Sequence, residues 1–118
     1  MRWLQLLAAS LLPFTALGAK KSAGDRFTDT RAKALSAGRP ITLQDASYAK
    51  LTKAPRDYSL AVLLTVIEKQ YACTICRQFE PEWNLLGKSW IKGDKDGQTR
   101  LLFGTLDFVD GKETFRSV

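Results

Sequence analysis

Leu60–Ile67 (LAVLLTVI), Cys73–Ile91 (CTICRQFEPEWNLLGKSWI) and Leu101–Phe108 (LLFGTLDF) decide the fold. The first and last are short apolar runs rich in branched residues, and eight residues suit a strand better than a helix. Neither alternates with polar residues, which predicts strands covered on both faces, as in a parallel sheet. Between them Phe79, Trp83, Leu86 and Trp90 recur at spacings of four, three and four, which predicts one face of a helix over Cys76–Ile91. Gly93 is a terminator for it. Strand, helix and strand at this spacing predict a right-handed βαβ unit.

Outward from this unit, Asp25–Ser36 (DRFTDTRAKALS) is polar with helix formers, and Gly38 and Pro40 follow as stop signals. This predicts a short, largely exposed helix. Ile41–Gln44 alternates and predicts a short strand. Asp45 or Ser47 can cap a second helix through about Lys53, with Tyr48 and Leu51 toward the core and Pro55 ending it. Beyond the last apolar run, Val109-Asp110-Gly111 starts a turn and Lys112–Val118 has the look of the first turns of a helix. No segment after the N-terminal one is apolar enough to span a membrane.

Met1 and Arg2 form a positive n-region, Trp3–Leu17 is an interrupted apolar stretch, and Ala16-Leu17-Gly18 supplies small residues before the polar Lys20-Lys21. This is the build of a cleaved secretory signal, residues 1–18, with the cut after Gly18 or Ala19. Residues 19–118 then form one partial domain. The signal implies an oxidising lumen, where two cysteines tend to pair. The sole asparagine, Asn84, is followed by Leu85-Leu86, so the chain carries no N-glycosylation acceptor of its own.

Composition narrows the chemistry. The chain has 118 residues, 45% hydrophobic and 25% charged, as an ordinary globular domain would be. The formal charge of +6 comes from scattered residues with no basic run, so it predicts a solvated basic surface and no nucleic-acid partner. There is no histidine, which excludes Cys–His and Ser–His nucleophile systems and histidine-containing zinc fingers. Two cysteines cannot build an all-cysteine zinc site within one chain.

The chemistry therefore concentrates on Cys73-Thr74-Ile75-Cys76, between the first strand and the helix. A thiol at a helix N-terminus meets unpaired backbone N–H groups and the positive end of the dipole, and both favour thiolate. The two-residue spacer puts both sulfurs on one helical turn, within reach of a disulfide. Cys73, at the exposed end, would attack a client sulfur, and Cys76, one turn in, would resolve the mixed disulfide. Two other uses stay open. A structural disulfide is one, although so short a loop removes little unfolded-state entropy. Half a metal site, completed by carboxylates or a partner chain, is the other. Haem attachment needs histidine where Arg77 stands. No metal or cofactor is expected. Pro81, five after Cys76, should kink the helix.

Several stretches together resemble one family: AKKSAGDRF, LQDASYAKLTKAPRDYSLAVLLTV, CTICRQFEPEW and RLLFGTLDFVDGKETF. They look like the fungal version of the thioredoxin-like subunit of the oligosaccharyltransferase complex, the gamma or subunit 3/6 family. The resemblance covers Lys20–Val118, with CTICRQFEPEW and DFVDGKETF its most specific parts. It implies an α/β, thioredoxin-like fold, incomplete here: the N-terminal βαβαβ part, without the C-terminal ββα half or the four membrane helices of the family. It further implies placement in the endoplasmic reticulum, with the domain in the lumen and membrane attachment only through those helices. The implied function is that of an accessory redox subunit in N-linked glycosylation. Its partners are the other complex subunits and cysteine-containing nascent polypeptides, held through transient mixed disulfides at Cys73 and Cys76. The helix starting there would form one wall of a peptide groove. A stand-alone lumenal thiol-disulfide oxidoreductase, and a non-catalytic fragment with a structural disulfide, are the alternatives.

The chain departs from the thioredoxin pattern near the cysteines. Ala72 stands where tryptophan is common. Ile67, six before Cys73, stands where thioredoxins bury an aspartate, with Glu68 one position off. Thr74-Ile75 lacks the histidine of strongly oxidising relatives. These departures suit slow thiol exchange rather than general reduction.

Overall fold

A computed structural model describes Ser22 to Val118; the expected signal segment lies outside the described residues. Its elements are α1 (Ala23–Ala37), β1 (Ile41–Thr42), α2 (Asp45–Thr52), β2 (Ser59–Thr65), α3 (Thr74–Gly93), β3 (Leu101–Asp107) and α4 (Lys112–Ser117). The three strands form one sheet in the order β1-β3-β2, and both pairings are parallel. From β1 onward this is a βαβαβ chain on a parallel sheet, the α/β arrangement of an incomplete thioredoxin-like fold. Among the described residues no helix is long and apolar enough to cross a membrane.

β3 is central and its burial alternates: Leu102, Gly104 and Leu106 are buried, and the residues between them half-buried. Leu106 is 0% exposed and packs with Leu43 and Leu51. A second cluster joins Phe27, Tyr58 and Leu102. The expected double cover does not extend to β2, whose residues Leu60–Leu63 are only half-buried. β2 is an edge of this sheet, so fewer elements stack on it than on β3.

α1 also differs from its expected exposure. Its side toward the sheet buries Arg26, Phe27, Thr30 and Ala34. Two of these four are polar, so the buried face leaves no apolar periodicity in the sequence. Arg26 is tied down by two bonds from Nη2, to the carbonyls of Lys53 at 3.1 Å and Pro55 at 2.9 Å. Those bonds fasten the loop that leads into β2. At α2 the N-cap is Gln44, not Asp45 or Ser47. Ser47 Oγ instead accepts from the Gln44 N–H at 2.8 Å. Asp45 reaches away to α4, where it accepts from the Thr114 hydroxyl at 2.7 Å and the Thr114 N–H at 2.9 Å. These bonds, the Thr114 hydroxyl first, hold the Asp45 carboxyl below its ordinary value.

α3 is continuous across Pro81, which removes one backbone donor and leaves the Arg77 carbonyl without its usual partner. Its inward line differs from the expected stripe. Trp83 and Trp90 do pack on Phe103, with ring centroids 5.2 and 6.1 Å away. Phe79 and Leu86, however, are exposed. The helix is rotated toward Glu80, Asn84 and Gly87, because Gly87 seats directly on Pro40. Trp83 Nε1 donates to Thr105 Oγ1 at 3.0 Å, and Trp90 Nε1 to the Leu101 carbonyl at 3.3 Å. Advancing seven residues along the helix thus retreats four along β3. Those lengths, about 10 Å and 13 Å, are nearly matched. α3 therefore runs antiparallel to β3, with its first turn at the C-terminal end of the sheet.

A Cβ at Gly87 would lie 2.5 Å from Pro40 Cγ, while one at Gly93 would meet nothing within 4 Å. Gly87→Ala should lower the urea midpoint by an equivalent of about 1–3 kcal/mol, despite alanine's better helix propensity. Gly93→Ala should be neutral or slightly stabilising. Equal effects at the two positions would contradict this packing.

Candidate functional site

The loop that delivers the cysteines is short and pinned. After β2 the chain passes Val66 and Ile67 and makes a 3-10 turn over Lys69–Tyr71. Asp107, at the end of β3, accepts the Ile67 N–H on Oδ1 at 2.8 Å. Tyr71 sets its ring edge-on to Phe108, with centroids 5.3 Å apart, and Phe108 does the same to Phe115 at 5.4 Å. Ala72 then takes a left-handed conformation, φ 54°, which turns the backbone into α3. An alanine there costs about 1 kcal/mol, so the turn is held by its surroundings.

Cys73 is the N-cap of α3, and Cys76 lies within its first turn. Both are half-buried. They are joined in a disulfide with Cα atoms 5.3 Å apart. The structure thus brings together the two residues singled out from the sequence, at the helix end that the pattern placed them on. The Cys73 side chain makes no capping hydrogen bond to the first turn, and its place is the positive end of the helix dipole. Cys76 sits inward, on the same side of the helix as Glu80 and Gly87.

Three large apolar side chains are exposed near the pair, among polar ones. Ile75, between the cysteines, is 70% exposed, and Phe79, one turn on, is 43% exposed. Tyr71 is exposed on the loop side. Glu68 is exposed and accepts from Gln70 Nε2 at 2.8 Å. It is therefore engaged locally on the loop surface. Among the described residues no three or more His, Cys, Asp or Glu side chains group as metal ligands would.

Two supporting residues escaped the sequence pattern. Asp107 was visible as the one charge in the apolar run LLFGTLDF, a signal that it performs a specific bond at the strand end. Ala72 carried no signal, because nothing in its residue type announces a positive φ.

The model of a protein family described as "OST3 / OST6 family, transporter family" matches residues 26–118. The chain is 31% identical over 77 residues to the zebrafish (Danio rerio) dolichyl-diphosphooligosaccharide–protein glycosyltransferase subunit MAGT1. It is 30% identical over the same length to the subunits of that name from Mus musculus and Homo sapiens. In each case the match spans 64% of this chain and 23% of the relative. The chain thus covers about a quarter of the length of these curated relatives.

After reduction, iodoacetamide at pH 7 should modify Cys73 roughly tenfold faster than Cys76, as counted by peptide mass spectrometry, because the helix end favours its thiolate. Equal rates, or Cys76 first, would contradict the placement of the reactive sulfur.

Proposed function

The chain belongs to the OST3/OST6 family, and we propose that it serves as an accessory subunit of the oligosaccharyltransferase complex in N-linked protein glycosylation. Its domain works in the lumen of the endoplasmic reticulum, where Cys73 and Cys76 hold client polypeptides through transient mixed disulfides. A client kept unfolded in this way keeps its asparagine acceptors accessible. Residues 1–18 are the signal that directs the chain there, and residues 19–118 form the redox domain.

The observation that carries this proposal is the disulfide at the first turn of α3. Capture begins when a client thiolate attacks Cys73 Sγ in the disulfide. The Cys73–Cys76 bond breaks, and Cys76 leaves with the electron pair. Release reverses the step: Cys76 attacks Cys73 Sγ, the disulfide re-forms, and the client sulfur departs with its electrons. The exposed apolar side chains Ile75, Phe79 and Tyr71 suit an unfolded segment, whose own apolar residues are not yet buried. A purely structural bridge fits less well, because a loop this short gains only about 2 kcal/mol in the chain-entropy account.

In the full chain with Cys76→Ser, the Cys73 thiolate should attack disulfides of partly oxidised clients, displacing the client's other sulfur as thiolate, and with no Cys76 to resolve them the adducts should accumulate in intact cells, running at higher mass without reductant and collapsing with it. The Cys73→Ser, Cys76→Ser double variant should show none. Adducts absent from the single variant, or equally abundant in the double one, would overturn the exchange mechanism.

A further inference from the structure

Between α1 and α2 lies a groove of about 420 Å³. Arg26 and Thr30 from α1 and Leu51 from α2 form its floor, each nine-tenths or more buried. Asp29 and Lys33 from α1 and Lys50 from α2 form its rim, and all three are exposed. Neither cysteine lines it. Arg26, Thr30 and Lys33 recur at about one helical turn and so share a side of α1. Lys50 joins them only through the packing of the two helices, which is why the positive charge reads as scattered in the sequence.

Arg26 is the member that calls for a ligand. Its guanidinium stays charged. Nη2 donates to the Lys53 and Pro55 carbonyls, and Nε is buried with no partner among the described residues. No carboxylate of the described residues forms an ion pair with Arg26, Lys33 or Lys50. A buried charge without a counter-ion is costly, and an anion held beside it lowers that cost. Three cations and Asp29 leave the groove with two positive charges. A phosphomonoester, at about −1.5 to −2 near pH 7, matches that charge, whereas a carboxylate or phosphodiester supplies only one.

We infer that this groove binds the phosphate of a phosphomonoester, with Lys33 and Lys50 closing on its oxygens and Arg26 supplying charge from below. Arg26 acts through its charge, because Nε lies beneath the surface. The phosphate is carried either by a soluble molecule or by a lipid headgroup such as phosphatidic acid, and the recognising chemistry is the same. The inference does not rest on the redox function proposed above.

The test is isothermal titration calorimetry of the full chain with inorganic phosphate at constant ionic strength. The wild type should bind one equivalent saturably, and more tightly at about pH 7.5 than at about pH 5.5, because the second phosphate proton leaves near pH 6. Arg26→Met would also free the loop into β2, so the lysines carry the test. The Lys33→Met, Lys50→Met double variant should bind about tenfold more weakly. The Lys88→Met, Lys92→Met double variant, which loses the same charge on α3, should stay within about twofold of the wild type. Co-sedimentation with phosphatidylcholine vesicles, with and without phosphatidic acid, separates the two sources. Sedimentation that requires phosphatidic acid and is lost in the groove variant identifies a headgroup, and phosphate binding without sedimentation identifies a soluble ligand. Absence of saturable phosphate binding up to about 10 mM, or equal weakening in both double variants, would overturn the inference.

Discussion

The seat of α3 on Pro40 and β3 is the contact on which the rest depends. Gly87 allows the helix backbone to approach Pro40, and the two tryptophans flank Phe103. Their indole N–H bonds fix the slide of the helix along the strand at two points. With slide and approach both set, the first turn of α3 can lie only at the C-terminal end of the sheet. The position of the cysteines is a consequence of packing some ten residues away from them. A larger residue at 87 would lift the helix and carry the disulfide with it.

The first turn is held from the other side by small, directional contacts rather than by a core. The Ile67 N–H bonds to Asp107, Tyr71 leans on Phe108, and Ala72 turns the backbone in a conformation that alanine disfavours. This leaves both cysteines half-buried, with Tyr71, Ile75 and Phe79 exposed near them. A structural disulfide is usually placed where it staples distant segments. Here it links residues three apart, at a helix end where the thiolate is favoured. Both facts suit the exchange proposed for it.

Much of this was legible in the sequence. The apolar runs 60–67 and 101–108 gave the parallel pair, because length and branching both favour strands there. CxxC ahead of an apolar-periodic helix placed the two cysteines at the start of α3, where the structure has them. The rotation of α3 was not legible, because a glycine on Pro40 set it, and the periodicity of Phe79, Trp83, Leu86 and Trp90 pointed about half a face away. The buried side of α1 was hidden for a related reason: Arg26 and Thr30 lie on it, and pattern rules score such polar residues as surface. Asp45 showed a general cap preference without its target, since its partner Thr114 lies 69 residues on. Tertiary contacts of this kind leave no local trace.

The account stands on the disulfide being an exchangeable pair rather than a staple. Its most direct test is the equilibrium reduction potential of the Cys73–Cys76 couple in the full chain, measured in glutathione buffers by acid quenching and thiol labelling. The account predicts a value more positive than about −270 mV, where lumenal thiols can open and close the bond. A value below about −300 mV, the range of permanent structural disulfides, would contradict it.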